Sequence, residues 1–217
     1  MSLLLRASLA ALAVLAVCVG SAPPPTSDLT RRAELAAERV SAILGVPVHP
    51  VVVVPSSDGE AARLAGVGSV DGLAALADRG RVIVVPGNFA KLTPTGRDVV
   101  LTHELTHVAA GTGGVPAWLR EGFADYVAYR DAGLPVKVAA AELAGDVRAG
   151  RLPYELPGPQ DFAPGAVRLA QAYQEAWLAC RFVAERFGED RLVRLYRDPT
   201  SLGITRGWRE YVLEQLG

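Results

Sequence analysis

Two cysteines and three histidines are all that this 217-residue chain contains of those residue types. So few cysteines exclude a disulfide scaffold: once any leader carrying Cys18 is set aside, Cys180 has no partner for an internal bridge. Cys180 lies in the apolar helical pattern Ala176-Trp177-Leu178-Ala179-Cys180 and reads as a small buried hydrophobe rather than a nucleophile. Charge of one sign is missing too. Twenty-two basic and 23 acidic residues leave a net charge of -1, and no block of like charge occurs. The electrostatic footprint of a nucleic-acid binder, or of a protein held on an anionic membrane surface, is therefore absent from the sequence. No internal repeat is visible. Half of the residues are hydrophobic and 21% are charged, a composition that suits one globular domain with a sizeable core, alone or with an export segment.

The one long apolar run is at the start. Met1 to Gly20 carries a single charge, Arg6, and Leu9 to Val19 is unbroken apolar sequence. A short basic start followed by such a run reads as a secretory signal peptide, with a single membrane anchor as the other reading, over residues 1–22. Its processing has two readings. Cys18 after Leu15-Ala16-Val17 resembles a bacterial lipoprotein cleavage box, in which the cysteine is lipidated, although Val17 stands where a small residue is usual. Cleavage after Ala22 would instead leave Pro23 beside the cut. Either route implies an exported protein, secreted or attached to the outer face of a membrane. Membrane contact is then expected only through this segment or a lipid on Cys18. Loss of Arg6 with the leader would bring the charge to -2.

Beyond a linker at 23–27, the pattern is a little β followed by mostly α. Ser27 or Asp28 caps a helix from Leu29 to about Leu44, stopped by Gly45. Val48 to Val54, β-branched and bounded by prolines, reads as a buried strand containing His49, for which a structural role is expected. Asp58 to Ala65 reads as a short helix, and Leu73 to Asp78 either as helix or as the lead into a second strand, Arg81 to Val85. A helix follows from Thr95, with Asp98 as its capping partner, to about Ala110. Further helices are expected over Pro116 to Asp131, Val136 to Ala149, Ala166 to Phe187, Asp190 to Tyr196 and Arg206 to Leu216, with a long loop from Gly150 to Pro164.

His103-Glu104-Leu105-Thr106-His107 falls in the helix that begins near Thr95. Four residues apart, the two histidines share one helix face, where two imidazoles can bind a single zinc ion. Glu104 projects at a different angle and is placed to hold a water on the metal rather than to ligate it. Catalytic zinc needs a third protein ligand and an open position. Downstream lies Pro116-Ala117-Trp118-Leu119-Arg120-Glu121-Gly122-Phe123-Ala124-Asp125-Tyr126. Together the two segments resemble the gluzincin metallopeptidases, often called the peptidase MA-like domain, and the resemblance spans about Val82 to Arg197. It implies a zincin-like α+β fold over residues 28–217, a small N-terminal sheet with helices followed by a mostly helical C-terminal part. It also implies one Zn2+ per chain held by His103, His107 and Glu121, with Asp125 hydrogen-bonded behind a ligating histidine.

The spacing agrees with that assignment. Thirteen residues between His107 and Glu121 allow a short loop and the first turns of a returning helix, and Glu121 and Asp125 stand one turn apart. A carboxylate behind an imidazole fixes its tautomer; an ordinary surface aspartate is the other reading of Asp125. Gly122 costs a helix about 1 kcal/mol relative to alanine, which either a close helix approach or a kink would explain. The expected chemistry is hydrolysis of peptide or protein substrates outside the cytoplasm, with Glu104 as general base. Relatives often supply an oxyanion donor from further along the chain; Tyr173 is the candidate here, with a core-edge tyrosine as the other reading. The family also pairs extended substrate with an edge strand ahead of the metal helix, expected here to be Arg81 to Val85. The chain lacks the Gly-Met-Glu-Asn type motif with which zinc aminopeptidases hold a free amine, which tilts the reading toward an endopeptidase. Two other readings are an inactive zinc-binding interaction or sensor domain and a helical protein with a coincidental motif.

Overall fold

A computed structural model describes residues 26–199 and 207–217. The leader, with Cys18, and the proline run lie outside the described residues. The chain divides between Gly111 and Thr112 into two compact units.

The first unit is built on α1 (Thr26–Leu44), β1 (Val52–Val53), α2 (Asp58–Ala65), β2 (Ala75–Asp78), β3 (Arg81–Val84), α3 (Pro86–Ala90) and α4 (Pro94–Ala110). Helix α1 takes in Thr26 and Ser27, the end of the expected linker. Its apolar stripe, including Leu29, Ala33, Ala36, Val40 and Ile43, is buried, and it packs on α4. Arg32 fastens the pair: Nε donates to Asp28 Oδ2 at 2.7 Å, and Nη1 donates to the Pro94 carbonyl at 3.1 Å and to Asp98. Asp98 is thus spent on α1 rather than on a cap.

The cap of α4 is Thr93, two residues earlier than expected, because Pro94 fills the first helical position where no N–H is needed. Thr93 Oγ1 accepts from the Gly96 N–H at 3.1 Å. Thr93→Ala should therefore cost about 1 kcal/mol, read from the urea midpoint, while Thr95→Ala should be close to neutral. Equal losses in the two variants would put the cap elsewhere.

The sheet has the order β1-β3-β2. Strand β1 is parallel to β3 (Val52 opposite Val82), and β2 is antiparallel to it (Ala77 opposite Val82, Asp78 opposite Arg81). Arg81 to Val84 is therefore the central strand, and the free edges belong to β1 and β2, which corrects the expectation of an edge strand there. The expected buried strand over Val48 to Val54 shrinks to two half-buried residues. An edge strand bonds on one side only, Pro50 and Pro55 bound it, and Val51 and Val54 are about half exposed. His49 precedes the strand and is exposed. Beneath the sheet, Ala61 and Ala65 of α2 pack with Leu76, Ile83 and Val85.

The second unit is helical: α5 (Ala117–Arg130), α6 (Val136–Ala139), α7 (Ala141–Arg148), a 3-10 turn (Pro159–Phe162), α8 (Leu169–Phe187), α9 (Glu189–Arg197) and α10 (Trp208–Leu216). Helix α8 is its axis, with α5, α7, α9 and α10 packed on it. The single helix expected over Val136 to Ala149 breaks at Ala140, where φ is -114° and ψ 43°. The break leaves the first N–H groups of α7 to find other partners, and the buried Gln174 of α8 accepts one, from Leu143, at 2.8 Å. Phe123 stacks on Tyr196 at 4.5 Å and Tyr129 on Trp177 at 5.1 Å. Among the described residues, no helix is long and apolar enough to cross a membrane.

Candidate metal centre

Helix α4 carries apolar side chains on several faces, and Val99, Val100, Leu101 and Leu105 are all buried. That burial draws the interspersed polar residues inside as well. His103, Glu104 and His107 are 6%, 1% and 3% exposed. Thr102 and Thr106 satisfy their hydroxyls locally, donating to the carbonyls of Asp98 and Thr102 at 2.7 and 2.8 Å. One helical turn apart, the imidazoles present Nε2 toward Nε2 at 3.0 Å, with ring planes 86° apart. Two ligands of a tetrahedral zinc at ordinary Zn–N lengths stand roughly 3.3 Å apart, so this separation is close to that of a shared ion.

Glu121 of α5 is the third ligand expected from the sequence. Two imidazoles and a carboxylate form a donor set that suits zinc and other borderline divalent ions. Glu121 is buried, and Arg120 Nε donates to its Oε1 at 2.9 Å.

Glu104 is held from the sheet. In the β2–β3 hairpin the Arg79-Gly80 turn makes Asp78 and Arg81 the closing pair, so Ala77 stands at the alternate kind of pair, whose N–H points away from β3. That N–H donates to Glu104 Oε2 at 2.8 Å. The free edge of β2 thereby fixes one carboxylate oxygen of the residue beside His103.

The remaining candidates lie on α5 and α8. Asp125, one turn beyond Glu121, is buried. Its charge reaches Cys180 and Tyr129: burial first, and Asp125 second, push the Cys180 thiol well up and raise the Tyr129 phenol. Tyr173 is buried too, its ring edge-on to Phe162 with centroids 5.0 Å apart.

Three participants escape a reading of the sequence. Arg120 stands directly before Glu121, but helical spacing does not show that it bends back onto that neighbour. Tyr196 of α9 feels Glu121: burial, then the Glu121 charge, raises its phenol. Only the fold could bring these two together. Ala77 acts through its backbone, for which no side-chain pattern exists. No protein-family model, curated protein or solved structure matches the chain.

Proposed function

We propose that the protein is a zinc-dependent metallopeptidase, an endopeptidase acting outside the cytoplasm. The observation that carries this reading is the company Glu104 keeps. A buried carboxylate, tethered through one oxygen to the edge of a sheet, adjoins two buried imidazoles whose Nε2 atoms stand 3.0 Å apart, close to the spacing of two ligands on one ion. A helix that needed two histidines only for packing would have no use for that carboxylate, since burying a charge is costly unless it has work or a partner.

His103, His107 and Glu121 would hold the ion. When bound, zinc would lower the pKa of a coordinated water and polarise the scissile carbonyl. Glu104 takes the proton of the attacking water as the oxygen–carbon bond forms, and delivers it to the amine as the carbon–nitrogen bond breaks. The Ala77 N–H holds the carboxylate so that it need not reorient between these two transfers. Asp125 is assigned to orient a ligating imidazole and Tyr173 to donate to the developing oxyanion, both on the resemblance to gluzincins.

The test is metal analysis together with digestion. Purified protein should hold close to one zinc per chain. Zinc at a hundredfold excess over its dissociation constant should stabilise it by about 2.7 kcal/mol relative to chelated protein. A peptide library should be cut at internal bonds, and cutting should stop on chelation. Zinc without cleavage would point to a binding or sensor domain. Unchanged melting with and without metal would refute both readings.

A further inference from the structure

Residues 150–168 run between α7 and α8 with one short 3-10 turn. Pro153, Pro157 and Phe162 are buried, whereas Tyr154 and Val167 are 86% and 99% exposed. Phe162 is the ring that covers Tyr173 of α8. The two ends of the segment are clasped by one carboxylate. Arg151 Nη2 donates to Asp146 Oδ1 at 2.7 Å and Arg168 Nη2 to Asp146 Oδ2 at 3.1 Å. The same Arg168 nitrogen also donates to Glu175 Oε1 at 2.9 Å. Between segment and helix lies a cavity of about 350 Å³, lined by Tyr154, Leu156, Pro157, Val167 and Arg168, with Glu175 among its walls.

The two carboxylates fare differently. At Asp146 burial pushes upward, but Arg151 and Arg168 outweigh it and hold the group below its ordinary value. Glu175 is 4% exposed and, among the described residues, shares one guanidinium with Asp146. Its other charged neighbours, Asp146 and Asp161, repel it, and Glu155 also lines the cavity. Glu142 of α7 is engaged with Gln174, the next residue on α8. Burying an ionised carboxylate with so little compensation is unfavourable, and opening the segment would rehydrate it.

We propose that residues 150–168 form a strap over α8 whose release is coupled to proton loss from Glu175, so that the strap is latched in mildly acidic solution and loosens as the solution becomes alkaline. The sign follows by linkage. Closed, Glu175 is pushed up to about 7, by burial first and against the pull of Arg168. Open and solvated, it returns to the ordinary carboxylate range. The closed strap binds the proton more tightly, so the opening equilibrium climbs from about pH 4.5 to pH 7 and levels off above. Opening lifts Phe162 from Tyr173, and this holds whether or not the protein hydrolyses peptides.

The experiment is hydrogen exchange of the full chain at pH 5.5 and pH 8.0, corrected for intrinsic exchange, with Glu175→Gln in parallel. Amides of 150–168 should open roughly 25- to 30-fold more at the higher pH. Glu175→Gln, which keeps an acceptor for Arg168 but carries no charge, should remove that difference, stay protected at pH 8.0 and melt no lower than wild type there. Equal protection of the wild-type segment at the two pH values would overturn the proposal. So would a pH response that survives in Glu175→Gln, or one spread evenly over α5 and α8 instead of confined to the segment.

Discussion

Glu104→Gln is expected to retain zinc near one per chain and to lose between a hundredfold and ten-thousandfold in kcat for peptide cleavage. That corresponds to about 3–5 kcal/mol of barrier. The substitution is chosen for what it preserves. Glutamine has the same length, and its amide oxygen can accept the Ala77 N–H that Glu104 Oε2 accepts now at 2.8 Å. The join between β2 and α4 therefore survives, and so should the melting temperature. Glu104 is not one of the three proposed ligands, His103, His107 and Glu121, so the metal should stay. What disappears is a group that can take a proton from water and return it to an amine. Full activity in the variant would remove Glu104 from the role of general base. Loss of zinc along with activity would instead make Glu104 part of the metal's own environment, which Glu121→Ala, expected to lose the ion outright, would calibrate.

The parts of this site that the sequence displays are those in which helical spacing does the work. His103 and His107 at four residues are neighbours on any α-helix, and glycines and prolines mark where most helices stop, as at Asp58–Ala65. Failures occur where tertiary partners decide. Ala75-Leu76-Ala77-Asp78 has no strand-forming bias. It becomes a strand because Arg79 and Gly80, both at positive φ (46° and 80°), fold it back on β3. Glycine adopts that geometry freely; arginine does so at some cost. The valines of 48–54 have strong strand bias, yet only two pair, because prolines and an edge position limit the ladder. Asp98 had the spacing of a capping partner and was instead recruited by Arg32, 66 residues away. Local pattern names the candidates in each case, and long-range pairing chooses among their uses.

Gly122→Ala sets propensity directly against packing. On propensity alone, alanine inside α5 should stabilise the helix by about 1 kcal/mol. A β-carbon at Gly122, however, would stand 2.2 Å from the Ala176 carbonyl oxygen, 2.5 Å from its carbon and 3.0 Å from Cys180 Sγ. The first two atoms are backbone of α8, the helix on which the rest of the unit packs, so neither can swing aside as a flexible side chain would. The helices must separate, and overpacking of this kind costs about 3 kcal/mol or more. Packing should win, and the variant should unfold at a lower urea concentration than wild type. Gly145→Ala on α7 is the control. There the added carbon meets nothing nearer than Arg148 Nη2 at 3.9 Å, so propensity acts alone and stability should rise slightly. A more stable Gly122→Ala would mean that α5 and α8 approach less closely than these distances require. The effect should also reach the proposed metal site. Glu121 is the neighbouring residue on the same helix, and ligand positions tolerate only a few tenths of an ångström. Zinc affinity should therefore fall with stability in Gly122→Ala and stay unchanged in Gly145→Ala, which separates displacement of α5 from a general loss of helix stability.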